Sequence, residues 1–407
     1  MSSRIKYFIV SASTCLTLLL LVGSVLGQGA SSTDDTLKHI GVFSDVVAHI
    51  KSEYVEEPDM KSVTLGALNG LLEAIDPFAS YLNADQYKDY LKNKDLKRAD
   101  IGLVLSKKFG YVGVVGAIPN SPAAKAGFTT GDMIESIKGI ATRDMPLAYA
   151  TMLMQGDPGS TVELSVVRVR QPDPQTVKLT RAMVMLPPVE SKMLAGQVGY
   201  INIDALSPAL VKEVAAAVTK LQKDGAQKLV VDVRNCFIGS PDDGIAMANL
   251  FLTKGHITYL QGQRVPRQNF DADPGKAITS LPVAVLTNRG TADAAEIMAA
   301  ALADNNRAQL VGEPTYGDAA ERKAITMDDG SAIILSIAKY YSPNGKAIQD
   351  TRVVPGTQVT EPEVQVDYDD NGEPIPLTPE QLQQQQQKKM EDDPVVKKAL
   401  EVLGVKA

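Results

Sequence analysis

The 407 residues contain no tryptophan and only three histidines. His39, His49 and His256 are scattered and share no metal-ligand spacing, so neither a metal site nor a cofactor is expected. Clustered basic residues are also lacking. The formal net charge is -7, which excludes the electrostatic footprint of a nucleic-acid partner. Cysteine occurs twice, as Cys15 and Cys236. Cys15 falls in an apolar N-terminal run. Once that run is removed, one thiol remains and no internal disulfide can form, so the fold has to be held by its core.

What is present fits a folded chain of two or three domains, with 44% hydrophobic and 22% charged residues. Arg4 and Lys6 precede an apolar stretch from Tyr7 to Leu26, with the small residue Gly27 before Gln28. This is the layout of an export signal over residues 1–27. The run approaches the ~20 residues that span a bilayer, so an uncleaved membrane anchor stays open as the alternative. An exported protein, periplasmic or extracellular, is expected either way.

Residues 33–96 read as helical. Leu37, Ile40, Phe43, Val47 and Ile50 recur at helical spacing, Val63 to Ile75 runs up to Asp76-Pro77, and residues 81–93 suggest a third helix. From about Asp100 the pattern becomes short strands and glycine turns, which marks a β-rich module over 97–185. Its first strand is expected at Ile101-Gly102-Leu103-Val104-Leu105. From Gln197 strands and helices alternate, including Leu229–Val233, Val283–Thr287 and a helix Ala292–Asp304. That alternation predicts an α/β layer with parallel strands over 186–365. Residues 366–407 form a tail with the low-complexity run Gln383–Gln387 and a last amphipathic helix, Val395 to Leu403.

Several motifs occur in a shared order over most of the chain. They are Asp76-Pro77-Phe78, Asn120-Ser121-Pro122-Ala123 with Gly131-Asp132, Val231-Asp232-Val233-Arg234-Asn235, Gly312-Glu313-Pro314-Thr315-Tyr316-Gly317 and Ala338-Lys339-Tyr340-Tyr341-Ser342-Pro343-Asn344-Gly345. In these the chain resembles the carboxyl-terminal processing peptidases, or tail-specific serine proteases. The resemblance implies an α/β multidomain fold: a helical N-terminal segment, a PDZ-like module and a crotonase-like layered core. It also implies a serine nucleophile and a lysine base. The family's S-A-S-A-S-E run corresponds to Thr291-Ala292-Asp293-Ala294-Ala295-Glu296, which puts Asp293 at the nucleophile position. Asp318 stands where the lysine follows P-T-[FY]-G, and Arg322 stands at the assisting glutamine. The family's N-P-G-G loop reads Cys236-Phe237-Ile238-Gly239, with one glycine lost on the oxyanion side.

Ser–Lys hydrolysis needs a hydroxyl that attacks and a neutral amine that takes its proton. Asp293 and Asp318 supply neither. The expectation is therefore a peptidase-like fold without peptidase activity, with an active tail-specific endopeptidase of rearranged site as the alternative. Asp293 also suits a helix first turn, with Thr291 as N-cap. The same stretch leaves room for a proton-sharing Asp293–Asp318 pair, for a Thr291 nucleophile served by Lys339, and for a nucleophilic Cys236 in place of a small buried one. The retained capacity would be strand addition at Ile101, Gly102, Leu103 and Val104, where N–H groups would receive a peptide's terminal carboxylate. The expected partners are C-terminal peptide tails and an active paralogous protease.

Overall fold

The computed structural model describes residues 31–361 and 392–405, apart from Asp95, Lys97, Phe109, Asp144, Val169 and Arg170. The expected export segment and the Gln383–Gln387 run lie outside the described residues. Among the described residues no helix is long and apolar enough to cross a membrane.

The chain divides into a short unit ending at Ala67 and a large one beginning at Leu68. The short unit holds helix α1 (Ser31–Glu53) and the start of α2 (Met60–Glu73). Next come strand β1 (Ser80–Leu82) and α3 (Ala84–Asn93). The expected helix over 81–93 thus begins later. Asn83 and Gln86 form a reciprocal capping box that starts it at Ala84, with bonds of 3.0 and 3.1 Å.

The β-rich module contains β2 (Leu103–Lys108), β3 (Tyr111–Ala117), α4 (Pro122–Lys125), β4 (Met133–Ile137), β5 (Ile140–Ala141), α5 (Leu147–Met154), β6 (Thr161–Arg168) and β7 (Gln171–Thr180). Its sheet runs β2-β3-β4-β6-β7, with β5 on β4. The first strand begins two residues later than expected, because Ile101 and Gly102 precede it. Ile101, Val112, Ile134, Ile137 and Leu164 are fully buried in the module's own core. Each such side chain adds about 1.5–3 kcal/mol of burial.

The core domain follows as β8 (Glu190–Leu194), β9 (Val198–Asn202), α6 (Pro208–Lys223), β10 (Lys228–Asp232), α7 (Pro241–Asn249), β11 (His256–Gln261), β12 (Gln268–Asp271), β13 (Val283–Thr287), α8 (Ala294–Asp304), β14 (Ala308–Gly312), β15 (Ala320–Thr326), β16 (Ala332–Tyr341), α9 (Ile348–Thr351), β17 (Thr357–Gln358) and α10 (Pro394–Val402). One sheet runs β17-β14-β13-β10-β9-β8, parallel except for β8. Period-2 alternation splits its side chains between two layers. Val231 and Val285 face Val214, Met247 and Ile297 of α6 to α8. Val230 and Leu286 face Val395 and Ala399 of α10. A second sheet runs β1-β16-β11-β12, with β15 on β16. Ser80–Leu82 is drawn out of the helical region to pair antiparallel with β16.

Helix α8 positions the site. Its residues Ala294 to Leu302 are all buried, and the alanine-rich sequence lets neighbours come close. The closest is Gly244 of α7, where a Cβ would meet the Ala294 carbonyl oxygen at 2.2 Å. No larger residue fits there without moving the start of α8.

Candidate functional site

Between β13 and α8 the chain makes a braced turn. The Thr291 hydroxyl donates to the Val233 carbonyl at 2.8 Å and accepts from the Asn288 N–H at 3.1 Å. Thr291 is therefore a loop brace and not the N-cap that its sequence position suggests. Asp293 itself precedes the first helical residue, at φ 50° and ψ -114°. That conformation is costly for a non-glycine residue and persists only when its surroundings enforce it. The enforcing group is Glu296. Its fully buried carboxylate accepts from the N–H of Asp293 at 3.0 Å, of Gly317 at 2.7 Å and of Asp318 at 2.7 Å, and from the Thr315 hydroxyl. One side chain thus holds the Asp293 turn and the Gly317-Asp318 turn together.

The structure brings Asp293, Asp318 and Arg322 into one cluster. Arg322 on β15 is ion-paired with Asp318, and its guanidinium lies 4.3 Å from the centre of the Phe78 ring. Asp293 keeps one carboxyl oxygen, Oδ1, buried without a hydrogen-bond partner. Burial first, and then the charge of Asp318, push the Asp293 carboxyl well above the usual range, against the pull of Arg322. Burial raises Asp318 too, opposed by Arg322. Burial lifts Glu296 to about 7, despite the hydrogen bonds that favour its charge. All three carboxyls are thus shifted toward their protonated forms, while Arg322 opposes the shift at Asp293 and Asp318. Such a cluster can hold protons, but it offers no hydroxyl–amine pair.

The remaining candidates separate in the same way. Lys339 is paired with Asp350 at 2.6 Å, and the Thr291 hydroxyl is engaged, so neither is available to the other. Cys236 is fully buried, and burial raises its thiol far above the range where a thiolate forms. Its loop is packed with apolar side chains. Phe237 is buried against Val115 and Ala292, with Ile238 and Val104 around them. Gly239 lies beside Ala294, one residue from Asp293.

At the module's edge, β2 has β3 on one side only. Ile118 donates to the Gly102 carbonyl at 2.8 Å, and Leu103 pairs with Ala117. By antiparallel alternation the Leu103 N–H turns to the free edge. The Gly102 N–H, expected to receive a ligand carboxylate, donates instead to Asp100 Oδ1 at 2.7 Å. Beside this edge lies a cavity of about 400 Å³, whose lining includes Leu105, Leu147, Met152 and Gln155 of the module together with Asp318 and Arg322. The peptide edge and the acidic cluster therefore share one opening.

Three residues of this region were not singled out from the sequence. Glu296 stands three residues after Asp293, a capping-box spacing that could have drawn attention to it. Asp76 lies in a recognised motif. It is buried, accepts from the N–H of Phe78 at 2.9 Å and of Ser336 at 3.1 Å, and helps to raise Asp318. Asp100 gave no signal beyond an acid two residues before a glycine.

Comparison with known proteins bears on the whole arrangement. The profile of peptidase family S41 matches residues 197–359, and that of a PDZ domain matches residues 113–168. A carboxy-terminal-processing protease of Bartonella bacilliformis is 28% identical over 370 residues, which cover 89% of this chain and 84% of that protein. Carboxy-terminal processing protease CtpA of Bacillus subtilis is 30% identical over 371 residues, covering 89% of this chain and 79% of its own. A solved photosystem II D1 C-terminal processing protease superposes with a TM-score of 0.65 at 27% identity, over 77% of this chain and 85% of that one. A free-edged PDZ sheet joined to a parallel core, matched along nearly nine-tenths of the sequence, places this chain in peptidase family S41 with the carboxy-terminal processing proteases.

Proposed function

We propose that this chain is an exported member of the family that captures extended polypeptide and does not hydrolyse it. The observation that carries this is Asp293, a carboxyl held at positive φ at the head of α8, where the resemblance puts a serine. Backbone strain of this kind is kept where a reacting atom once had to be aimed. Asp318 and Arg322 neutralise each other at the positions of the base and its helper. Phe237 packs the neighbouring loop with an apolar ring where an oxyanion would need aimed N–H donors. Capture falls to the free β2 edge, by strand addition along Leu103–Lys108. Its ligands are the peptide tails of other proteins, and an active paralogous protease is the partner for which such capture would be useful. Residues 1–27 direct the chain to the periplasm or outside the cell, with or without an anchor.

The second reading, an endopeptidase with a rearranged site, is favoured by the names of the relatives, which are proteases. One assay separates the two. The purified chain is mixed with fluorogenic peptides and with a denatured protein. No turnover above buffer is expected. Turnover that disappears in Asp293→Ala or Asp318→Ala establishes the rearranged enzyme instead.

A further inference from the structure

The far end of the β2 edge already contains a carboxylate. Gly102 has φ 82°, and a Cβ there would meet Ser121 Cβ at 2.3 Å, so only glycine can turn its N–H as it does. That N–H points at the oxygen of Asp100, 2.7 Å away. The N–H of Ile101 and the side chain of Gln155 also bear on the same carboxyl. Gln155 follows α5 and lines the cavity beside β2, so its bond to Asp100 links that carboxyl to the groove. The nearest strong cation, Arg181, does not offer a second anion site. Its guanidinium is used up on the carbonyls of Met154, Leu153 and Thr161 and on the Ser160 hydroxyl, at 2.8 to 3.0 Å.

A ligand's terminal carboxylate would need the N–H groups that Asp100 holds. It would also bring a second negative charge to within a few ångströms of the first, in a half-buried pocket where repulsion is poorly screened. A backbone amide in the middle of a polypeptide meets neither obstacle. It can pair with the outward Leu103 N–H and continue past the loop.

We propose that Asp100 is a specificity-determining residue, a resident carboxylate that closes the β2 groove to free C-terminal carboxylates and turns it to extended internal segments. The proposal rests on strand addition at β2. It narrows that reading: a tail would bind by a stretch that runs on past the loop, and not by its terminal carboxylate.

The test uses the full chain and one fluorescein-labelled peptide ending in Val-Ala-Ala, prepared as free acid and as amide, with anisotropy as the readout. The wild type should bind the amide at least as tightly as the acid. Asp100→Gly, which empties the loop, should shift the acid-to-amide preference toward the acid by roughly tenfold, the scale of one charge-assisted hydrogen bond. Asp100→Asn keeps the acceptor without the charge and should shift it by about threefold. A merely structural role would weaken both peptides alike and leave their ratio unchanged. Free-acid preference in the wild type overturns the proposal, as does an unchanged ratio in folded Asp100→Gly. If that variant does not fold, the wild-type ratio and Asp100→Asn decide. If no protein binds either peptide, strand addition at β2 is itself wrong, and the proposal falls with it.

Discussion

Two carboxylates, Asp100 and Asp293, occupy comparable places in two modules. Each sits at the head of a site, in a turn shaped around it. Their surroundings differ. Asp100 is met by backbone N–H groups, which offset part of the cost of its burial. Asp293 has an oxygen with no partner and faces a second acid. A buried polar group costs little when hydrogen-bonded and about 1–3 kcal/mol when not. The first carboxylate is thus an integrated part of its loop. The second is an uncompensated one, tolerated because Glu296 and the packed α8 determine the backbone around it.

The harshest way to break this comparison is to remove the carboxylate that pairs with the cluster's one guanidinium. Asp318→Ala leaves the half-buried Arg322 without its carboxylate, and Arg322 Nε already lacks a partner. Breaking such a pair should lower stability by about 3 kcal/mol, read as a fall in denaturant midpoint at unchanged slope. The phenyl ring of Phe78 beneath the guanidinium retains part of the interaction, so unfolding at room temperature is not expected.

Asp293→Asn sharpens the comparison. An uncharged amide avoids both the burial cost of an ionised carboxylate and its repulsion from Asp318, so stability should rise by about 1 kcal/mol at about pH 8. The pH dependence fixes the sign. Asp293, Asp318 and Glu296 all have folded pKa values raised above their unfolded ones, Glu296 to about 7. The folded state therefore binds protons more tightly, and stability is lost as pH rises from the unfolded value of about 4 through about 7. The wild-type Tm should be higher at about pH 5 than at about pH 8, and the fall should be smaller in Asp293→Asn. A Tm that rises over this interval would show that the cluster is ionised and well solvated.

The smallest effect is expected at the other carboxylate. Asp100→Asn keeps an oxygen for the Gly102 N–H and removes a charge that burial disfavours. These terms oppose each other, so stability should stay within about 0.5 kcal/mol of wild type. A large loss would make Asp100 a structural post instead of an occupant.

Much of the fold was legible because burial imposes periods on sequence. Val283–Thr287 is apolar throughout, as a strand covered on both faces must be, and it is β13. Strands with one wet face were harder to read. β15 carries Glu321, Arg322 and Lys323 in succession, and β12 is polar and short. β1 is strand only because β16 supplies its partner, which is a tertiary cause with no local trace. At the site, the coming together of Asp293, Asp318 and Arg322 followed from motif order. The entry into α8 did not. Thr291 has the side chain of a cap, but the positive φ at Asp293 turns the cap position two residues on. Glu296 was hidden for a related reason: its role lies in three backbone N–H groups, two of them from a turn about twenty residues away, and backbone donors leave no letter in a sequence.

Arg234, at the end of β10, is bonded to Asp232 at 2.6 Å, to Glu361 at 2.8 Å and to Asp393, the residue that caps α10, at 2.8 Å. Glu361 and Asp393 are the two ends between which residues 362–392 run, and one guanidinium clasps both. Lys228 adds a bond of 2.6 Å to the Leu403 carbonyl, and Val395, Val396 and Ala399 are buried on the sheet. These contacts hold α10 independently of the path that the chain takes between the two ends. A single cut anywhere in that stretch would leave α10 held by these contacts alone, and its retention would then depend on protein concentration. The chain is in this sense closed into a ring by a noncovalent clasp, and its C-terminal helix behaves as a bound ligand of its own core.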